Sequence, residues 1–217
     1  MIDQMVLANI MLDIFAIVLS LIPVVYTLND KRYRQRLNQY FLCVSVSNIF
    51  MIAGDLADWL LQEIATPAQA LTLTVFSVIF YVASAFVLYF FARYMEEYLK
   101  LPDRGRTWYL NSVRLVCAVQ ILFALASPFT GAIFTVTEHG YQRGALFLIS
   151  QLVPLYCYLL FTATVILCRK SLARREVVFF LLYIFVPLGG GAAQMFLRGI
   201  AVVNIGVSLA LLFILVN

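Results

Sequence analysis

Runs of about 20 predominantly apolar residues follow one another along nearly the whole chain, the length one α-helix needs to cross the hydrocarbon of a bilayer. Apolar residues make up 64% of the 217 and charged residues 12%, too little charge to clothe a water-facing surface. The expected fold is therefore all-α: a polytopic membrane helix bundle, with residues 1–217 forming one membrane domain. No charged segment precedes the first run and no small-residue cleavage site follows it, so that run reads as a retained helix and not a signal peptide.

The pattern predicts seven spans, at residues 5–28, 37–61, 71–92, 108–126, 145–168, 177–197 and 200–216. Between spans four and five lies the longest loop, a polar, glycine-containing stretch over 127–144. Of the fifteen Lys and Arg residues, twelve fall in the connectors after spans one, three and five. Arg143 and Arg198 fall on the other side, and Arg114 lies close enough to the basic edge of span four to snorkel. Positive charge collects on the cytoplasmic side, which places the amino terminus outside and the carboxyl terminus in the cytoplasm. Pro187 with Gly189, Gly190 and Gly191 leaves a shorter count open, in which the sixth run is a re-entrant element. Otherwise Pro154, Pro187 and those glycines mark kinks that move during signalling, or close helix packing.

Ionisable groups at bilayer depth cost about 2.5–3.5 kcal/mol each, so they need a partner or a wet cavity. Asp13 is expected about 12 Å below the outer end of span one, with Asp55 and Asp58 about 9 and 5 Å below that of span two. Helical spacing gathers Asn9, Asp13, Ser20 and Thr27 on one face of span one, and Ser45, Asn48, Asp55, Asp58 and Gln62 on one face of span two. Span three repeats the pattern with Thr74, Ser77, Tyr81 and Ser84, span six with Gly191, Gln194 and Arg198, and span seven with Asn204 and Ser208. Such stripes turn from lipid toward the bundle interior. They define a candidate outward-facing ligand site of Asp13, Asp55, Asp58, Trp59, Tyr81, Gln151, Gln194, Arg198 and Asn204, suited on its acidic, aromatic side to a cation or amine. The alternative for the same residues is interhelical glue that binds nothing.

Several chemistries find no residues here. Lys31, Lys100 and Lys170 all lie in or beside connectors, so no buried lysine is left for a retinal Schiff base. His139, the one histidine, sits in a loop beside Glu138, which excludes bis-histidine haem and reads as solvated. Cys43, Cys117, Cys157 and Cys168 lack metal-site spacing and read as small apolar residues. Gly54-Asp55 alone is a poor match to an intramembrane aspartyl protease, and no zinc-protease, nucleotide-loop or kinase signature occurs. The chain is expected to have no catalytic residues, no metal and no cofactor. The basic clusters over 31–36 and 169–175 serve topology and lipid contact, not nucleic acid.

Phe129-Thr130-Gly131-Ala132-Ile133-Phe134 and Tyr141-Gln142-Arg143-Gly144 resemble the aromatic Thr-Gly loop and Tyr-x-Arg-Gly turn of the seven-helix amino-terminal sensor regions of bacterial membrane histidine kinases and diguanylate cyclases. The basic connector over 169–176, Pro187-Leu188-Gly189-Gly190, Gln194 and the apolar final helix are similar too. About half of the chain carries the likeness directly and the rest by topology. It implies a receptor in the bacterial cytoplasmic membrane that takes a small-molecule or peptide ligand, external or membrane-dissolved. Its last helix would continue, beyond Asn217, through a coiled segment into a kinase or cyclase working as a homodimer. Two further readings remain: a small proton- or cation-coupled secondary transporter, for which spans one to three and five to seven show no convincing internal repeat, and a structural subunit.

Overall fold

The computed structural model describes residues 4–196 and 202–216. Among them are seven α-helices: α1 (Gln4–Asn29), α2 (Arg36–Leu60), α3 (Pro67–Leu99), α4 (Asp103–Thr130), α5 (Phe147–Cys168), α6 (Arg174–Phe196) and α7 (Val202–Val216). Five of these, α1 to α5, are long and apolar enough to cross a membrane, and α7 is a shorter apolar helix. The architecture is the all-α helical bundle of a membrane-embedded protein. One end carries the basic α1–α2, α3–α4 and α5–α6 connectors; the other carries a two-stranded antiparallel hairpin, β1 (Phe134–Thr137) and β2 (Gly140–Arg143).

The third and fourth helices are both longer than expected. The third helix begins at Pro67 because Thr66 accepts from the Gln69 backbone N–H while the Gln69 side chain reaches back to Thr66, a capping box with proline at the first helical position. It also runs on to Leu99, since Arg93, Tyr94, Glu96 and Tyr98 find partners on neighbouring helices; the charged connector expected over 93–106 shrinks to a short link between Leu99 and Asp103. Lys100 ends α3 in the left-handed conformation, at φ 48°.

The loop expected over 127–144 is ordered. Its first residues complete α4, which stops where Gly131 turns left-handed. The remainder forms the hairpin, in which Ile133 and Phe134 are buried. The Glu138–His139 turn closes on Gly140 at φ 80°, a geometry that glycine adopts without strain. The hairpin docks on the bundle: the Ile64 N–H donates to the Glu138 carbonyl at 3.0 Å, and a Cβ on Gly140 would run into the Leu61 and Gln62 carbonyls.

The apolar core gathers around α3, with residues of α2, α4, α5, α6 and α7, and at its centre Phe91 stacks on Tyr183 at 3.7 Å between ring centroids and meets Phe161 edge-on. On the other side of α3, Gly54 of α2 lies so close to Phe76 and Phe80 that a side chain there would have no room. The helix α6 passes through Pro187 and the following glycines to Phe196 without a break, so the described backbone is helical where a re-entrant element had been the alternative. Gly190 of α6 faces Val203 of α7, the close packing that small residues permit.

Candidate functional site

The polar face expected on the first helix is real: Asn9, Asp13, Ser20 and Thr27 are all buried. It meets Ser45, Asn48 and Asp55 of α2 and Asn204 and Ser208 of α7, forming a polar seam where these three helices pack together. Two layers of side chains, each drawing one residue from each helix, build it.

In the layer nearer the hairpin, the Asn204 amide spends its two N–H bonds on two carboxylates. It donates to Asp13 Oδ1 at 2.7 Å and to Asp55 Oδ2 at 2.6 Å. The second layer joins Ser20, Asn48 and Ser208. The Ser20 and Ser208 hydroxyls are 2.8 Å apart, and the Asn48 amide donates to both, at 2.8 and 3.2 Å. Ser208 also donates to the Asn204 carbonyl, which ties the layers together along α7. Residues seven apart on α1 (Asp13, Ser20) and on α2 (Asn48, Asp55) stand two turns apart on one face, which is why the same two helices supply both layers. Among the described residues two acceptors in this seam have no hydrogen-bond donor, Asp13 Oδ2 and Asn48 Oδ1.

Closer to the hairpin, Asp58 is half-buried and within electrostatic range of Asp55, Tyr81 and Tyr141. The Tyr81 and Tyr141 hydroxyls are 2.6 Å apart, and Phe134 stacks against both rings. Gln120 of α4 donates to the Tyr81 carbonyl and to Ser84, so the stripe of α3 turns toward α4 and the hairpin instead of joining the seam. Trp59 is half-buried, with its indole N–H unpartnered.

Of the nine candidate residues, Asp13, Asp55 and Asn204 meet directly, while Asp58 and Tyr81 lie beside them toward the hairpin. Gln151 is exposed on α5 and donates to Ser150. The Gln194 side chain and the whole of Arg198 fall outside the described residues. Sequence reasoning passed over Tyr141 and Phe134 as site residues; the apolar-polar alternation of Phe134 to Val136 was the signal that would have placed them on a strand facing the bundle. Among the described residues no group of three His, Cys, Asp or Glu is placed to hold a metal ion.

The basic end is built differently. A cavity of about 240 Å³ opens there between Arg32, Asn38, Tyr98, Glu176, Phe180 and Ile214, alongside the last turns of α7. Around it α3 is tied to three neighbours. Arg93 donates to the Tyr40 hydroxyl of α2 and lies over its ring, buried Glu96 pairs with Arg106 of α4 at 2.7 Å, and the Tyr98 hydroxyl donates to Glu176 of α6. The Tyr98 hydroxyl and the Ala173 N–H together hold the Glu176 carboxyl below the usual carboxylate range. Neither a family model nor a curated protein matches the chain.

Proposed function

We propose that the chain is the receptor module of a bacterial membrane signalling protein: seven helices crossing the cytoplasmic membrane, amino terminus and hairpin outside, basic end in the cytoplasm. In this reading a stimulus at the outer end alters the grip of α1 and α2 on α7, and α7 carries the change to a cytoplasmic kinase or cyclase. The observation that carries it is the Asn204 bridge, in which one amide of the last helix is held by carboxylates from the first two. The polar seam gives α7 alternative hydrogen-bonding partners to exchange, which a purely apolar contact would not. The clustering of twelve of fifteen basic residues at one end supports the orientation, and the aromatic hairpin sequence supports the likeness to sensor regions.

The test is the position of α7. Spin labels at Val216 and Lys100, in protein reconstituted in nanodiscs, report the distance between the cytoplasmic ends of α7 and α3. Asp55→Asn is expected to shift that distance while helical content is kept; a folded variant with an unmoved α7 would sink the relay. Flux of protons and alkali cations into proteoliposomes separates this reading from a transporter, because a sensor gives none.

A further inference from the structure

We propose that the junction of Asp13, Asp55 and Asn204 is a proton site, and that a proton is the species whose arrival and departure this seam registers. The inference deepens the receptor reading and rests on it for the consequence at α7, though not for the site itself.

Space is the first argument. Asp13 is 0% exposed and Asn204 3%, with the seam packed around them, while the cavity of about 240 Å³ lies at the opposite end of the bundle. An organic cation needs a pocket and a metal ion needs several ligands, whereas a proton needs only one free acceptor. Asp13 Oδ2 is such an acceptor, fully buried and without a donor among the described residues; Asn48 Oδ1, equally buried in the same seam, is a second.

Charge is the second argument. Two carboxylates share one neutral amide, and among the described residues no cation pairs with either. Two like charges at one amide repel strongly in a seam without bulk water, and a single proton removes that repulsion. The groups facing the junction from the packed elements are Asp58 on α2, Tyr81 on α3, Tyr141 and Arg143 on β2, and Asn9 and Ser208 along the seam. None of the described ones sets a cation against Asp13.

The third argument is a route. Asp58 stands one turn from Asp55 toward the hairpin and is half-buried, so water on the hairpin side reaches it first. A hydronium ion at that side gives up its proton, an O–H bond forms on Asp13 Oδ2, and a water molecule is left behind. The junction passes from two negative charges to one, and the amide of Asn204 is then held by one carboxylate and one carboxylic acid instead of two anions.

The experiment is infrared difference spectroscopy on the nanodisc-reconstituted chain between acidic and alkaline buffer, following the carbonyl stretch of protonated carboxylic acid, with the Val216–Lys100 label distance recorded on the same samples. A deuterium-sensitive band that titrates in the wild type, disappears in Asp13→Asn and returns displaced in Asp13→Glu is the expected result. Asp13→Glu also covers the event that Asp13→Asn fails to fold. A folded wild type with no titrating band, or a band unchanged in the Asp13→Asn, Asp55→Asn double variant, overturns the proton site. A band that titrates while the label distance stays fixed upholds the site and overturns the relay; a distance that responds to pH with no band does the reverse.

Discussion

The two ends of this bundle treat charge in opposite ways. At the basic end the buried Glu96 carboxylate has a cation on another helix, Arg106, and Arg93 and Glu176 each meet a tyrosine hydroxyl of a neighbouring helix, although among the described residues Glu96 Oε2 itself has no hydrogen-bond donor. In the polar seam toward the hairpin two carboxylates share the single amide of Asn204 with no cation beside them, the Asn48 amide is spent on Ser20 and Ser208, and among the described residues Asp13 Oδ2 and Asn48 Oδ1 have no donor. A network whose buried charge is already neutralised by a cation gains little from an added proton. One with two carboxylates and no cation can be rearranged by a single added proton at little structural cost. The lesson is that α1 and α7 are the helices the seam can re-set, while α2, held to α3 at Gly54 and Tyr40, belongs with α3 to α6 to the frame.

Breaking the frame should have the largest effect. Phe91→Ala removes a ring packed against Tyr183, Phe161, Phe180 and Tyr94, and is expected to cost about 3–5 kcal/mol, measured by unfolding in bicelles. Arg106→Ala strands the buried Glu96 carboxylate, whose other cation, Arg93, stands off at 3.8 Å; about 1–3 kcal/mol is expected by the same measurement, toward the lower figure because Arg106 is itself 41% exposed. Ser208→Ala in the seam should cost only about 0.6 kcal/mol, the usual worth of an interhelical hydrogen bond in a membrane, and should shift the α7 label distance more than either frame variant. An equal or larger stability loss from Ser208→Ala would erase the contrast between the two regions.

The smallest effect concerns pH at the frame. Glu176 is held below the usual carboxylate range in the folded chain, so the Tyr98–Glu176 and Ala173–Glu176 bonds are intact at neutral pH. They are lost only as pH falls through that lowered value, beneath the ordinary glutamate figure of about 4.3. The protection factor of the Ala173 amide against hydrogen exchange, taken relative to the intrinsic rate at each pH, should therefore stay constant down to mildly acidic pH and fall only in strong acid. Protection that falls at mildly acidic pH would place the frame, and not the seam alone, among the proton-responsive parts.

Much of this was legible in the sequence, for reasons tied to particular residues. Asn9, Asp13, Ser20 and Thr27 recur at intervals of four and seven, and in lipid such a stripe has nowhere to go but inward; all four are buried. What periodicity leaves open is which stripe faces which. Tyr81 and Asp13 looked equivalent, yet the α3 stripe turns to Gln120 and the hairpin while the α1 stripe turns to α7, and only the packing of whole helices decides that. Gln151 shows the limit in reverse: a polar residue near a helix start can face outward at no cost. The hairpin escaped notice because its strands are only four residues each and their polar members look like loop.

The 33-residue α3 spans about 50 Å, well beyond the roughly 30 Å of hydrocarbon that a bilayer offers. It is pinned at its start by the capping box, along its length by Gly54 and Gln120, and at its far end by Tyr40, Arg106 and Glu176. In mechanical terms it is the stator of the assembly. In the proposed relay a rotation or piston stroke of α7 would have meaning only against such a fixed part.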